Sequence, residues 1–369
     1  MILQRTLENK TILWLQNSNQ YLIVKPIVAE IISLLNNQVT KEEIITALSD
    51  KNSTTNHKLS VIIDDISKLL TTPSKEKPNN YLVKKPQLFQ HQSYYKINDV
   101  IIHVHYSTEY ERFLVHPKFA HLETSKPEGK IDSFHVYSND QHISFSINNE
   151  VIETWLLKDV HFFQGKFSMK IVEHMHQKIE DEWLGVFHAS AISNGISSML
   201  FLGDSGNGKS TSLALLQANG FTCLADDFVP VAAKNKHIYS FPSAISIKKN
   251  SLQTLLPIYP ELENSAEYHF KRLNKIVRYI VPNNNDYKQK LPCKALVFIK
   301  YKKDSDIAIS KISNLNALEQ LVPDSWLSPK IENASIFLDW FLKIPCYQLT
   351  YSDNTKMINT VTKIFNDDL

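Results

Sequence analysis

The 369 residues predict an α/β chain in three parts. An α/β core runs from about 185 onward. A β-rich segment precedes it, and a small winged-helix-like module opens the chain. Three observations carry this reading. Residues 199–218 run strand, glycine-rich loop and helix without a break. Residues 81–184 hold short apolar runs rich in β-branched and aromatic side chains, separated by turn residues. Residues 12–70 hold one hairpin signal followed by three stretches of helically spaced apolar residues.

The opening module takes residues 1–72. Ile12-Leu13-Trp14-Leu15 and Tyr21-Leu22-Ile23-Val24 flank a polar turn and form a hairpin. Pro26 suits the first turn of a helix that carries Ile27, Ile31, Leu34 and Leu35. Thr40-Lys41-Glu42-Glu43 has capping-box spacing ahead of Ile44, Ile45 and Leu48. A third helix carries Val61, Ile62, Ile66, Leu69 and Leu70. Residues 73–80, rich in Pro, Lys and Asn, read as a linker. The β-rich domain follows over 81–184, with strands at 100–104, 143–147 and 151–155 and a partly helical end from Val160 to Trp183. The α/β core is expected over 185–369.

Composition excludes several classes. With 43% hydrophobic and 21% charged residues the chain is not disordered in bulk. Lys plus Arg is 40 and Asp plus Glu is 38, so nothing global drives binding to nucleic acid or an anionic membrane. Cys223, Cys293 and Cys346 lie far apart in apolar surroundings, so they read as buried thiols in a reducing compartment. No run approaches the roughly 20 apolar residues of a membrane helix. Met1 to Arg5 leads into polar sequence rather than a signal-peptide core. A cytoplasmic location is the expectation.

The chemistry concentrates in one place. Met199-Leu200-Phe201-Leu202 is a buried-strand run, and Gly203-Asp204-Ser205-Gly206-Asn207-Gly208-Lys209-Ser210 matches the phosphate-loop pattern G-x-x-x-x-G-K-[ST]. Thr211 to Ala218 continues as a helix that ends at Asn219-Gly220. Three of the eight glycines fall in this loop, where they let successive backbone N–H groups turn onto phosphate oxygens. Lys209 carries charge to the β- and γ-phosphates, and the Ser210 hydroxyl suits Mg²⁺. Lys209 is expected to face phosphate rather than core.

Phe221 to Ala225 reads as the next buried strand, and it ends in Asp226-Asp227. A carboxylate at the C-terminal end of a neighbouring parallel strand is where such an enzyme holds metal. If the strand continues, the two carboxylates point to opposite sides. One would hold Mg²⁺ and the other would take the acceptor's proton. Asp226 is the expected metal ligand with Ser210, and Asp227 the expected base, though adjacency alone leaves the assignment open. Asn194-Gly195 marks a hairpin between 187–193 and 197–202, which puts His188 one strand from the loop.

In their order and spacing, His188, the Asn-Gly hairpin, the loop 203–210 and Leu224-Ala225-Asp226-Asp227 resemble the catalytic core of the HPr kinase/phosphorylase family. The nucleotide fold of that family is similar to that of the phosphoenolpyruvate carboxykinases. The resemblance spans about 185–300, with an echo at Ile344-Pro345-Cys346-Tyr347-Gln348-Leu349. It implies an α/β P-loop kinase core of the HPr kinase type. It implies that Gly203 through Thr211 bind ATP, that Lys209 and Ser210 serve ATP and metal, that Asp226 and Asp227 serve acid/base work and metal organisation, and that His188 supports them. Thr211 stands where that family usually has Glu, and the Gly- and Arg-rich second signature of its bifunctional members is absent, which favours the kinase half-reaction. In the basic stretch 271–278, Arg272 is the expected phosphate or substrate contact. The opening module resembles PqqD-like peptide-recognition domains over about 8–72, which implies a leader peptide that adds beside the hairpin edge.

The expected activity is therefore ATP- and Mg²⁺-dependent transfer to a hydroxyl, with Ser or Thr of a ribosomally made precursor peptide as the acceptor. A small-metabolite kinase and a non-catalytic, nucleotide-gated peptide-binding protein are the alternatives. No nucleic-acid or membrane partner is expected, and homo-oligomerisation stays open. Three further features are set aside. Glu173-His174-Met175-His176 reads as polar surface, Phe162, Phe163 and Phe167 as core, and Asn283 to Asp286 as a loop.

Overall fold

The computed structural model describes residues 1–7, 9–49, 55–71, 81–128, 131–270 and 275–369. The expected linker 73–80 therefore lies outside the described residues. The chain is mixed α/β and divides into two units, 1–78 with 327–341 and 79–326 with 342–369. The β-rich segment and the glycine-loop core thus share one unit, and residues 327–341 group with the opening module rather than with the rest of 185–369.

In the first unit, Lys10–Leu15 is the middle strand of an antiparallel three-stranded sheet, between Ile2–Leu7 and Gln20–Val24. The hairpin is present as the sequence indicates. The added strand Ile2–Leu7 has weak local patterning and is held by its pairing, Leu3 opposite Trp14. Helix Pro26–Asn36 starts at its proline, whose missing N–H would have no helical partner there anyway. Helix Lys41–Ser49 starts behind the capping box, with Thr40 N–H donating to Glu43 Oε2 at 2.9 Å. Helix Asn56–Thr71 buries Leu59, Ile63 and Ile66, while Val61 and Leu69 face out, contrary to the expected apolar set. These elements share one core around Leu13, Ile31, Ile44 and Ile63.

Helix Ile331–Phe341 completes this unit. Arg5 Nε donates to Asp339 at 2.7 Å and its Nη2 to Ser335 at 2.8 Å. The Tyr21 ring meets Phe337 edge-on at 5.3 Å. Nothing in the local pattern of 331–341 announces that partner. An amphipathic helix advertises an apolar face but not which sheet will cover it.

In the second unit, the N-terminal part is a six-stranded sheet in the order Glu123–Thr124, His91–Ile97, Val100–Tyr106, Asp132–Ser138, His142–Ile147, Glu150–Leu156. Helix Glu109–Phe119 is the crossover between the two parallel strands Val100–Tyr106 and Asp132–Ser138. Helix Val160–His176 buries Phe163 and Phe167, but Phe162 is 56% exposed and is not core. The stretch 173–176 is not polar surface either. Met175 is buried, and His176 Nε2 lies 3.1 Å from the Ser240 carbonyl with its ring edge against Trp183. Burial pushes the His176 imidazole down to about 4, so it stays neutral.

The larger sheet carries the loop. Strand Ser198–Leu202 pairs in parallel with Lys290–Tyr301, which pairs in parallel with Cys346–Tyr351. On the other side it forms the expected Asn-Gly hairpin with Ser190–Ser193. Strand Thr222–Asp226 then pairs antiparallel with Ser190–Ser193. The strand that ends in Asp226 therefore runs with the loop strand but is not its neighbour, because Ser190–Ser193 lies between them. Helices Lys209–Ala218 and Asn354–Asn366 bury Leu213, Leu216, Met357 and Phe365 in the same core as Phe201 and Val297. Asn283 does form a loop, and it is tied down: its side chain accepts from Cys223 N–H and donates to the Phe221 carbonyl. Cys223 and Cys346 are buried free thiols, whereas Cys293 is only half-buried. Among the described residues, no helix is long and apolar enough to cross a membrane.

Candidate functional site

The loop between strand and helix takes its shape from glycine. Gly203, Gly206 and Gly208 all have positive φ, at 132°, 101° and 95°. At Gly203 there is no room for a side chain, since a Cβ would lie 2.8 Å from the Ile299 carbonyl oxygen. That oxygen is sheet backbone and cannot swing away. Gly203→Ala is therefore expected to lower stability by about 2 kcal/mol or more, through backbone strain plus this clash. Urea unfolding of the variant checks it, and wild-type stability would mean the loop is not built this way. Further along, Asn207 N–H donates to the Asp204 carbonyl at 3.1 Å, and Tyr301 N–H donates to the Asn207 carbonyl at 3.0 Å. The loop is thus anchored to the end of the adjacent parallel strand, while Asp204, Ser205 and Gly206 stay exposed at its tip.

Helix Lys209–Ala218 begins at once after the loop. Lys209 is only 6% exposed, so it is packed among protein atoms and not open to solvent as the sequence suggested. Its Nζ donates to the Gly203 carbonyl at 2.5 Å. Burial pulls its pKa down, and the charges of Asp227, Asp226, Asp324 and Asp204 work against that. Thr211 lies on the cleft wall, where its Oγ1 donates to Ser251 Oγ at 2.8 Å.

Asp226 is 2% exposed and fully engaged. Its Oδ1 accepts from Ser190 Oγ at 2.6 Å and from Ser210 Oγ at 3.1 Å, and its Oδ2 accepts from Ser246 N–H at 3.0 Å. Burial and the adjacent Asp227 charge push its carboxyl up to about 6, against the pull of those donors. Asp227 does not continue the strand. Its φ of 62° turns the chain, so the two carboxylates separate by a left-handed turn and not by strand alternation. Burial alone would raise Asp227, but the charges of Lys118, His188, Lys275 and Lys209 outweigh it and hold this carboxyl below its usual range.

A cleft gathers these groups. Its walls include His188, Lys209, Ser210 and Asp227 together with Lys248 and Lys275. Asp204, Ser205, Gly206, Gly208 and Thr211 also line it; Gly203, Asn207 and Asp226 do not, and Asp226 reaches it through its bond from Ser210. Arg272, the expected substrate contact, lies outside the described residues, and Lys275 of the same basic stretch is the cation on the cleft wall. Arg278 instead caps carbonyls, donating to Glu263 O at 2.7 Å.

Several contributors escaped the sequence reading. Lys248 reaches back to the loop, its Nζ donating to Ser205 Oγ at 2.8 Å. Ser190 and Ser246 hold Asp226, and Lys118 acts on Asp227 from the end of helix Glu109–Phe119. Only Ser190 had a usable signal, as the residue two places after His188 on the strand beside the loop.

The donor set bears on which ion fits. A serine hydroxyl and a carboxylate oxygen 3.1 Å apart are hard oxygen ligands, suited to Mg²⁺ completed by water and phosphate. Among the described residues no cluster of three or more His, Cys, Asp or Glu is arranged to hold a metal ion by protein ligands alone. No protein-family model matches the chain, and no curated protein is similar to it at a significant level.

Proposed function

We propose that the chain is an ATP- and Mg²⁺-dependent kinase of the HPr kinase type. It transfers the γ-phosphoryl group to a hydroxyl, with Ser or Thr of a ribosomally made precursor peptide as acceptor. The observation that carries the proposal is the convergence at one cleft of a glycine loop, its buried lysine, and a Ser210–Asp226 pair with Asp227 beside it. Ser210 and Asp226 would hold Mg²⁺, which when bound offsets the charge of the phosphate oxygens. Lys209 exchanges the Gly203 carbonyl for a phosphate oxygen, a stronger, charge-assisted bond. Asp227, on the open wall, takes the proton of the attacking hydroxyl. Its lowered pKa makes it a weak base, which suffices where proton transfer comes late in a loose transition state. His188, on the same cleft wall, would help position that carboxylate. The first unit, with a sheet that has two outer strands, would receive the leader of the precursor by strand addition. Free thiols at Cys223, Cys293 and Cys346 suit the reducing cytoplasm.

The test is thermal protection by ADP with and without Mg²⁺ across pH, followed by label transfer from γ-labelled ATP. The sign follows from Asp226. Its pKa is raised on folding, so the native state holds this proton more tightly than the unfolded chain. In the ligand-free protein its contribution to stability thus declines as pH rises from about 4 to about 6. Mg²⁺ must displace that proton to bind. The extra protection that Mg²⁺ adds to ADP should therefore grow several-fold between pH 5.5 and 7.5. No protection by ADP at any pH would remove the nucleotide, and metal protection that is flat with pH would remove Asp226 as the ligand.

A further inference from the structure

The cleft holds more cations on the Asp227 side than the nucleotide accounts for. Lys209 belongs to the phosphate loop, and Lys248 is bonded to Ser205 of that loop. Asp204 is likewise part of the loop tip. Lys275 and His188 remain on the wall beside Asp227. Lys118, from the end of a helix in the β-rich part, adds the strongest charge acting on that carboxylate. Its backbone is fixed by Ala244 N–H, which donates to the Lys118 carbonyl at 2.8 Å. Among the described residues no ion pair ties down Lys118 or Lys275. Asp227 alone faces two half-buried lysines and an imidazole, so positive charge on that wall exceeds the single carboxylate unless a further anion arrives.

We propose that Lys275, Lys118 and His188 form an anion subsite beside Asp227, so that the phosphoryl acceptor carries a negatively charged group next to its reacting hydroxyl. This inference rests on the kinase reading and names the chemistry of its acceptor. The subsite serves two ends. It offsets the repulsion between an anionic acceptor and the bound nucleotide, and it places the hydroxyl against Asp227 by fixing the neighbouring anion. Charge-assisted contacts of this kind supply orientation as well as affinity. The same anion could sit on the acceptor residue's own carboxylate or on an adjacent acidic side chain.

Three product-like probes distinguish these sources when titrated into the full chain with ADP and Mg²⁺ present. N-acetyl-O-phosphoserine carries the carboxylate, N-acetyl-O-phosphoserinamide lacks it, and N-acetyl-aspartyl-O-phosphoserinamide moves the anion to the neighbouring side chain. One of the anionic probes should bind at least tenfold tighter than the neutral amide. In Lys275→Met and Lys118→Met that advantage should shrink below threefold, with ADP binding showing that each variant is folded. Equal binding of all three probes, or binding of none while ADP·Mg²⁺ still binds, overturns the subsite and leaves the kinase reading standing. An advantage that survives both substitutions overturns the assignment to these lysines. Failure of ADP·Mg²⁺ to bind overturns the kinase reading and this inference with it.

Discussion

Lys209→Met is expected to abolish phosphoryl transfer, with kcat down by on the order of 10³ or more. Removing a single charged or polar group that stabilises developing charge costs about 10²–10³, and in the proposed reaction Lys209 would also hold the nucleotide beforehand. Methionine is the informative replacement because Lys209 is 6% exposed and its stem is packed. Alanine would leave a void at the start of helix Lys209–Ala218 and confuse loss of fold with loss of chemistry. Stability of the methionine variant should hold or rise slightly, since the native lysine is charged against the opposition of burial. One lost contact, Nζ to the Gly203 carbonyl, works the other way. The measurement is single-turnover transfer together with a melting curve. Transfer at the wild-type rate from a folded Lys209→Met protein would remove the loop from the mechanism.

Asp226→Asn and Asp227→Asn should fail in different ways. Asp226 shares a hydroxyl with Ser210 and sits behind the cleft, so its loss should appear as weakened metal affinity. Raised Mg²⁺ or Mn²⁺ should then restore part of the rate. It also orders Ser190, Ser210 and the Ser246 backbone, so a drop in melting temperature should accompany the defect. Asp227 faces the cleft, and among the described residues it has no such set of hydroxyl donors. Its asparagine variant should bind ATP·Mg²⁺ normally and lose roughly 10²–10⁴ in kcat, the range for a missing base. A metal titration of nucleotide affinity and single-turnover rate separates the two. Equal, metal-rescuable defects in both variants would make both residues ligands and withdraw the base assignment.

What the sequence determined by itself was local. The phosphate loop was legible because its glycines, lysine and serine must stand at fixed spacing between a strand and a helix, and all of that lies within 199–218. The Asn-Gly hairpin, the proline start of helix Pro26–Asn36 and the Thr40 capping box were legible for the same reason, since each is an interaction between residues a few positions apart. Tertiary structure decided what depends on distant partners. It set Ser190–Ser193 between the loop strand and the Asp226 strand, and it turned Asp227 out of line at a φ of 62°. It buried Lys209 and drew Lys118, Lys248 and Lys275 from three separate elements toward one carboxylate, Asp227. It also sent helix Ile331–Phe341 to the module that opens the chain. The physical reason is that spacing rules encode hydrogen bonds within a turn or a strand pair, whereas burial and long-range charge depend on which surfaces meet. An isolated lysine in a sequence carries no mark of the carboxylate it will face.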